Sequence, residues 1–272
     1  MTRGSIMEKL EPQPSAERKG SPLEAEAIEE IKTLMKPLLK KAAKMTLKRI
    51  GKIPDGTELQ SHFGGQPYFE KGEQWPQAKN GNNLVFVFQS FNDGNMGLSE
   101  NIKLIQFYYD FDDLTPWKTD DDGYLVKVYE TLHKENMIII KKPPEYFTRY
   151  YNKPDEKEDC NWIPYCEIEF KPILTLPTDE FVDEYSNKKF STLENYNEIA
   201  QDLIGYDFYD YFSQLGGYPQ WIQGGIELQD GFDFLFQIDS EDEAGIMWSD
   251  CGMVHVFYNS KTKQFIFEKE CY

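Results

Sequence analysis

Ser213-Gln-Leu-Gly216-Gly217-Tyr-Pro219-Gln-Trp221, continued by Phe234-Leu-Phe-Gln237-Ile-Asp239 and Glu241-Asp-Glu-Ala-Gly245-Ile-Met-Trp248-Ser-Asp250, is the stretch around which the chain is organised. It is the densest in turn-forming glycines, tryptophans and clustered carboxylates. A version of it occurs earlier as Ser61-His-Phe-Gly64-Gly65-Gln-Pro67, followed by Trp75 and Leu84-Val-Phe-Val-Phe88-Gln89. Ser61 and Ser213 are 152 residues apart and Gln89 and Gln237 are 148 apart, so the interval is nearly constant. An ordered set of matches at one interval carries more weight than a single glycine pair. The expected fold is α+β: a mostly antiparallel sheet made of two duplicated, pseudo-symmetric halves, each a helix, a Gly-Gly-x-Pro loop and strands. These halves run from about 38 to 145 and from about 165 to 272, in one domain covering 22 to 272.

Composition supports a sheet-rich body. Phe 19, Tyr 17 and Trp 5 make the aromatic fraction 15%, and such side chains suit a half-buried pleated surface. At 272 residues the chain is long enough to bury a sizeable core. The net charge of −18 argues against nucleic acid as a partner of the body, because phosphate recognition needs Lys and Arg to displace counterions. Residues 1 to 50 are the exception, with 11 Lys+Arg against 7 Asp+Glu. The four cysteines contain no C-x-x-C pair, which reads as reduced thiols in a cytoplasmic protein. No apolar run approaches a membrane span, and the N-terminus lacks the apolar segment of a cleaved leader.

Residues 1 to 21, with Pro12, Pro14 and Gly20, read as a flexible tail. Ser21 as N-cap and Pro22 at the first position announce a helix, which Pro37 should break. A second helix is expected from Leu38 to Ile50, with a basic stripe of Lys40, Lys41, Lys44 and Lys48. Strands are expected at Leu84 to Gln89, Lys103 to Tyr109, Tyr124 to Glu130, Asn136 to Lys142, Tyr165 to Phe170, Gly231 to Ile238, Met253 to Tyr258 and Gln264 to Glu268. Asn259 to Lys263 reads as a hairpin turn. Pro143 to Asn161 reads as a surface loop between the halves. Thr178 to Tyr185 reads as a short helix, and Ser191-Thr-Leu-Glu194 as the capping box of a longer one.

Hydrolase motifs are absent: there is no G-x-S-x-G, no H-E-x-x-H and no phosphate loop. The acidic loop is the best site candidate. Asp239, Glu241, Glu243 and Asp250 fall at positions 1, 3, 5 and 12 of a calcium-loop count, a set that would place oxygens around Ca2+. Ala244 stands where that loop needs glycine, and Asp250 is shorter than the usual bidentate Glu. Three readings stand: a solvated acidic turn whose carboxylates accept backbone hydrogen bonds, a cation site, and contact of Asp239, Glu241, Asp242, Glu243 and Asp250 with a basic protein partner. Trp75, Trp221 and Trp248 would either line a groove where the glycine loops meet or pack under those loops.

Ser61 to Pro67 with Trp75-Pro76, Leu104-Ile-Gln-Phe107, Leu215 to Pro219 and Phe236 to Gly252 resemble the YwqG-like family, the domain of unknown function 1963. The resemblance runs from about Leu38 to the C-terminus. It implies no established chemistry. Some relatives stand beside bacterial toxin systems, so it implies an immunity- or antitoxin-like binding role. The expected function is therefore non-enzymatic recognition of a protein partner through the acidic surface, with a cation-dependent hydrolase or calcium-binding protein as the alternative.

Overall fold

The structure is a computed structural model that describes residues 22–111, 115–140, 163–186, 190, 195–228 and 230–272. The expected tail, inter-half loop and capping box fall outside these residues. In chain order the elements are α1 (Pro22–Met35), β1 (Lys40–Arg49), β2 (His62–Phe63), β3 (Phe69–Glu70), β4 (Val85–Phe91), β5 (Leu104–Tyr109), β6 (Tyr124–Tyr129) and β7 (Met137–Ile138). They continue as β8 (Cys166–Thr175), α2 (Val182–Tyr185), α3 (Tyr196–Ile204), β9 (Gln214–Gly216), β10 (Asp233–Asp239), β11 (Met253–Asn259) and β12 (Gln264–Glu270).

Ten strands form one antiparallel sheet in the order β12-β11-β10-β9-β1-β8-β2-β4-β5-β6, and β3 pairs with β7 apart from it. This overturns the expected α+β arrangement of two helix-led halves. The strands of the two segments interleave, since β1 of the first pairs with β9 of the second, while β8 of the second pairs with β2 of the first. The sheet curls until its ends approach each other. The Lys269 N–H donates to the Trp117 carbonyl at 2.8 Å, and Lys118 bridges Glu268, so the segment before β6 ties back to β12 and nearly closes a barrel.

The expected basic helix is β1. Its residues alternate: Ala43, Met45 and Leu47 enter the core while Thr46 and Lys48 are exposed, the period-2 pattern of a strand with one buried face. The lysine stripe misleads because a spacing of four is near one helical turn and is also even. Lys40, Lys44 and Lys48 therefore share a face in either conformation. The β1–β8 ribbon also explains a proline inside a strand. Met45 donates its N–H to the Ser213 carbonyl at 2.8 Å, away from β8. By alternation the Ala43–Pro172 pair is a non-hydrogen-bonded one, so the missing proline donor costs no ladder bond.

Inside the sheet, aromatic side chains meet across the barrel: Phe88 and Phe236 at 5.0 Å between ring centroids, Phe107 and Phe236 at 5.6 Å, and Tyr124 stacked on Phe267 at 4.3 Å. Such pairs add about 0.5–1.5 kcal/mol each beyond area burial. A second cluster packs α1 and α3 together through Met35, Tyr196, Ile199 and Ala200. Helix α1 ends in a single 3₁₀ turn, Lys36–Leu38, that contains Pro37, where a missing donor ends α-helical bonding. Of the strand expected from Asn136 to Lys142, the described residues hold only the two of β7.

Candidate functional site

The two glycine loops are held by the same hydrogen bonds. Ser61 Oγ accepts the Phe91 N–H at 2.9 Å, and Ser213 Oγ accepts the Asp239 N–H at 3.0 Å. Gln89 accepts the Tyr68 N–H at 2.8 Å and donates to the Gln60 carbonyl at 2.8 Å. Gln237 accepts the Gln220 N–H at 2.9 Å and donates to the Phe212 carbonyl at 2.8 Å. Both glutamines are fully buried, so each amide satisfies loop backbone that would otherwise be orphaned. Gly216 sits at φ 64, and a Cβ there would lie 2.5 Å from the Met96 carbonyl oxygen, so only glycine fits.

Two of the three histidines, His62 and His255, are buried. His62 Nδ1 donates to the Gly64 carbonyl at 2.6 Å, and His255 Nε2 donates to the Gln220 carbonyl at 2.7 Å, beneath the Trp221 ring at 4.4 Å. Burial pushes both imidazoles down to about 4, so both are neutral at pH 7. Burial likewise pushes the Cys166 thiol up to about 12, which leaves it unreactive.

The acidic stretch begins at the end of β10 and folds into a tight turn. Glu241 and Ile246 exchange N–H to carbonyl bonds of 2.8 and 3.0 Å, and Gly245 supplies φ 65. Arg49, from the end of β1, clamps this turn. Its Nε donates to the Glu243 carbonyl at 2.6 Å, its backbone N–H to the Glu243 carboxylate at 3.1 Å, and its guanidinium reaches the Asp242 carbonyl at 3.4 Å. Cys166 Sγ lies 3.3 Å from the same Glu243 carbonyl.

The carboxylates divide into two sets. Asp239 and Glu241 are partly buried; Glu241 accepts the Ser213 hydroxyl, and Asp239 accepts the Ser240 N–H at 2.8 Å. Burial pushes Glu241 up to about 7, with the charges of Asp239 and Asp242 acting in the same sense, and burial also raises Asp239. Asp242, Glu243 and Asp250 are exposed. Of the four carboxylates of the calcium-loop count, Asp239 and Glu241 act on each other through their charges, while Glu243 and Asp250 are exposed. Among the described residues no group of three or more His, Cys, Asp or Glu side chains is placed to hold a metal ion.

The tryptophans also part company. Trp248 is buried, donates Nε1 to the Asp239 carbonyl at 3.1 Å, and packs on Tyr109 at 4.9 Å. Trp75 stacks on Phe69 at 5.7 Å and donates to the Leu84 carbonyl at 2.8 Å. Trp221 lies over His255 and Phe257. Trp248 is thus part of the core, whereas Trp75 and Trp221 are half-buried.

Two residues absent from the sequence reading belong to this surface. Met247 is 49% exposed between Gly245 and Trp248, and Arg49 fixes the turn that carries it. Arg49 carried no local signal, since its partner lies 194 residues away and a helix from Leu38 would have turned it elsewhere. Met247 is detectable in sequence only as an apolar residue inside an acidic run. No helix among the described residues is long and apolar enough to cross a membrane.

No curated protein matches this chain. The family model described as a domain of unknown function, DUF1963, matches residues 61–269, from the first glycine loop to the penultimate residue of β12, and the chain belongs to that family.

Proposed function

We propose that the protein is a non-enzymatic binding protein that recognises a basic protein partner through the acidic loop from Asp239 to Asp250. One observation carries this reading: Met247, half exposed, stands among the exposed carboxylates of Asp242, Glu243 and Asp250 on a turn clamped by Arg49. A flexible thioether adapts to an apolar pocket on a partner. Surrounding carboxylates attract cationic surfaces and raise the association rate, most strongly at low salt. The clamp holds the backbone in place before contact, so little ordering entropy opposes binding.

The net charge of −18 gives the whole molecule the same sign as the loop. The immunity- or antitoxin-like role implied by the family resemblance is of this kind, with a basic toxin as the partner class. The setting is the cytoplasm, where the free thiols of Cys166, Cys251 and Cys271 stay reduced.

The test is capture from a lysate of the source cells on the immobilised full chain, at about 50 mM and 500 mM salt, beside a variant carrying Asp242→Lys and Asp250→Lys. The reading expects a protein retained by the wild type at low salt and lost both at high salt and by the variant, with the melting temperatures of the two chains alike. Equal capture by both chains, or no specific capture by the wild type at low salt, contradicts it.

A further inference from the structure

Strands β4 and β5 and strands β10 and β11 make the same local structure. Val85 pairs with Tyr109 as Asp233 pairs with Tyr258, and each ladder shifts register just beyond, between Phe86 and Phe88 and between Phe234 and Phe236. The loops that follow β4 and β10 match as well. Each carries a glycine at positive φ, Gly97 at 71 and Gly245 at 65, directly after a buried Met96 or Ala244.

What fills the space beside the tyrosine is different. Beside Tyr109 lies Trp248, three residues after Gly245, and Phe111, two residues after Tyr109, stacks on it at 5.3 Å. The residue three after Gly97 is Glu100, which is exposed, and the residue two after Tyr258 is Ser260. With neither ring present, the place beside Tyr258 is an open cleft of about 300 Å³. Its buried floor includes Ile102, Leu235 and Tyr258, and Lys40, Asp233 and Ser260 stand around it.

The walls are held rigidly. A Cβ on Gly97 would lie 1.9 Å from the Lys41 carbonyl oxygen, and one on Gly216 would lie 2.8 Å from the Gly97 carbonyl oxygen, so the loop packs backbone to backbone on β1 and β9. Lys40 and Asp233 act on each other through their charges at a distance, without contact. Lys40 Nζ rests over the Tyr218 and Tyr185 rings at 4.3 and 5.3 Å, and among the described residues it forms no ion pair within 4.0 Å. A preformed cleft with an aromatic floor edge, one cation and one anion is built for a ligand that is apolar in the middle and charged with both signs. Its size lies at the lower end of the range of about 300–1,000 Å³ for small-molecule pockets, which selects a small ligand.

We propose that this cleft binds a small zwitterion with a flat apolar body, of the class of an aromatic amino acid. The carboxylate lies at Lys40, the ammonium at Asp233, and the ring on Tyr258 in the position that Trp248 takes against Tyr109. This site is separate from the acidic loop, so it stands or falls independently of the partner reading.

Titration calorimetry of the full chain with L-tryptophan and L-tyrosine, and with indole and acetate as single-part probes, tests it. The amino acids should bind, and indole and acetate should each bind at least about tenfold more weakly. Lys40→Met and Asp233→Asn should each weaken L-tryptophan by about tenfold or more. Ser260→Phe, which restores the ring found at Phe111, should abolish binding without lowering the melting temperature, and so guards against a variant that fails through misfolding. No heat from either amino acid at millimolar concentration, indole binding as tightly as L-tryptophan, or wild-type affinity in folded Ser260→Phe would overturn the proposal.

Discussion

Arg49 and Glu243 are joined at both main chain and side chain: the guanidinium donates to the Glu243 carbonyl at 2.6 Å, and the Arg49 N–H donates to the Glu243 carboxylate at 3.1 Å. The end of the central strand β1 thus sets the position of the acidic turn. Arg49→Ala removes the side-chain bonds and leaves two carbonyls without this partner. Hydrogen bonds to charged groups contribute about 1.5–3 kcal/mol, and part of that is discounted because Arg49 is exposed. The expected loss of global stability is about 1 kcal/mol. The amides of Glu241 and Ile246 should exchange hydrogen faster while those of β11 do not, and uniform exchange across both regions would count against the clamp.

His62 and His255 should make the fold acid-sensitive. Each folded-state value of about 4 lies below the ordinary value of 6.5, so each contributes stability present above about pH 6.5 that is lost as pH falls toward 4. Full expression of one such shift corresponds to about 3 kcal/mol. Position 255 pairs with Glu268 as Gln106 pairs with Lys127, so glutamine is an accepted side chain at the matching place. His255→Gln should flatten the loss of stability between pH 6.5 and 4, measured by urea unfolding at several pH values. An unchanged slope would show that His255 is not buried neutral.

Glu241 has the opposite sign. Its carboxyl is raised from 4.5 to about 7, so the folded state holds a proton that the unfolded chain releases. The resulting stability is complete below about pH 4.5 and is lost as pH rises through 7. Glu241→Gln keeps an acceptor for the Ser213 hydroxyl and removes the titration. Between pH 5 and 7.5 it should lose less stability than the wild type, as read from melting temperature against pH.

Gly216→Ala tests the packing of the second glycine loop. The position combines φ 64 with a Cβ that would meet the Met96 and Gly97 backbone at 2.5 to 2.8 Å. Left-handed strain of about 1 kcal/mol and overpacking of about 1–3 kcal/mol add to an expected loss of about 2–4 kcal/mol in denaturant unfolding. Gly72→Ala, at φ 98 with open space around it, should cost only the strain.

Strands β4, β5, β10, β11 and β12 were legible because their aromatic runs sit between turn residues. The Asn259 turn was legible for a local reason too, since its side chain accepts the N–H groups of Lys261 and Thr262 at 3.0 and 3.1 Å. Strand β1 was not legible, because lysines four apart satisfy both periods and the deciding alternation of Ala43, Met45 and Leu47 is short. A helix in place of β1 hides the interleaving of β1 with β9 and of β8 with β2 and leaves two separate halves. Within the candidate site, the acidic residues were legible as a cluster, but their division into a partly buried pair and an exposed set depends on Ser213 and Arg49, both distant in sequence. The Lys40–Asp233 cleft depends on which rings are missing from a place, and this becomes visible only when β4–β5 and β10–β11 are laid side by side.

The partner reading is tested most directly by site-specific photo-crosslinking in the source cells, with a benzophenone amino acid placed at Met247 and, as a control, at the exposed Leu125 on β6. The account predicts one covalent adduct to a basic protein from position 247 and none from position 125. Adducts of the same pattern from both positions, or none from position 247, would contradict it.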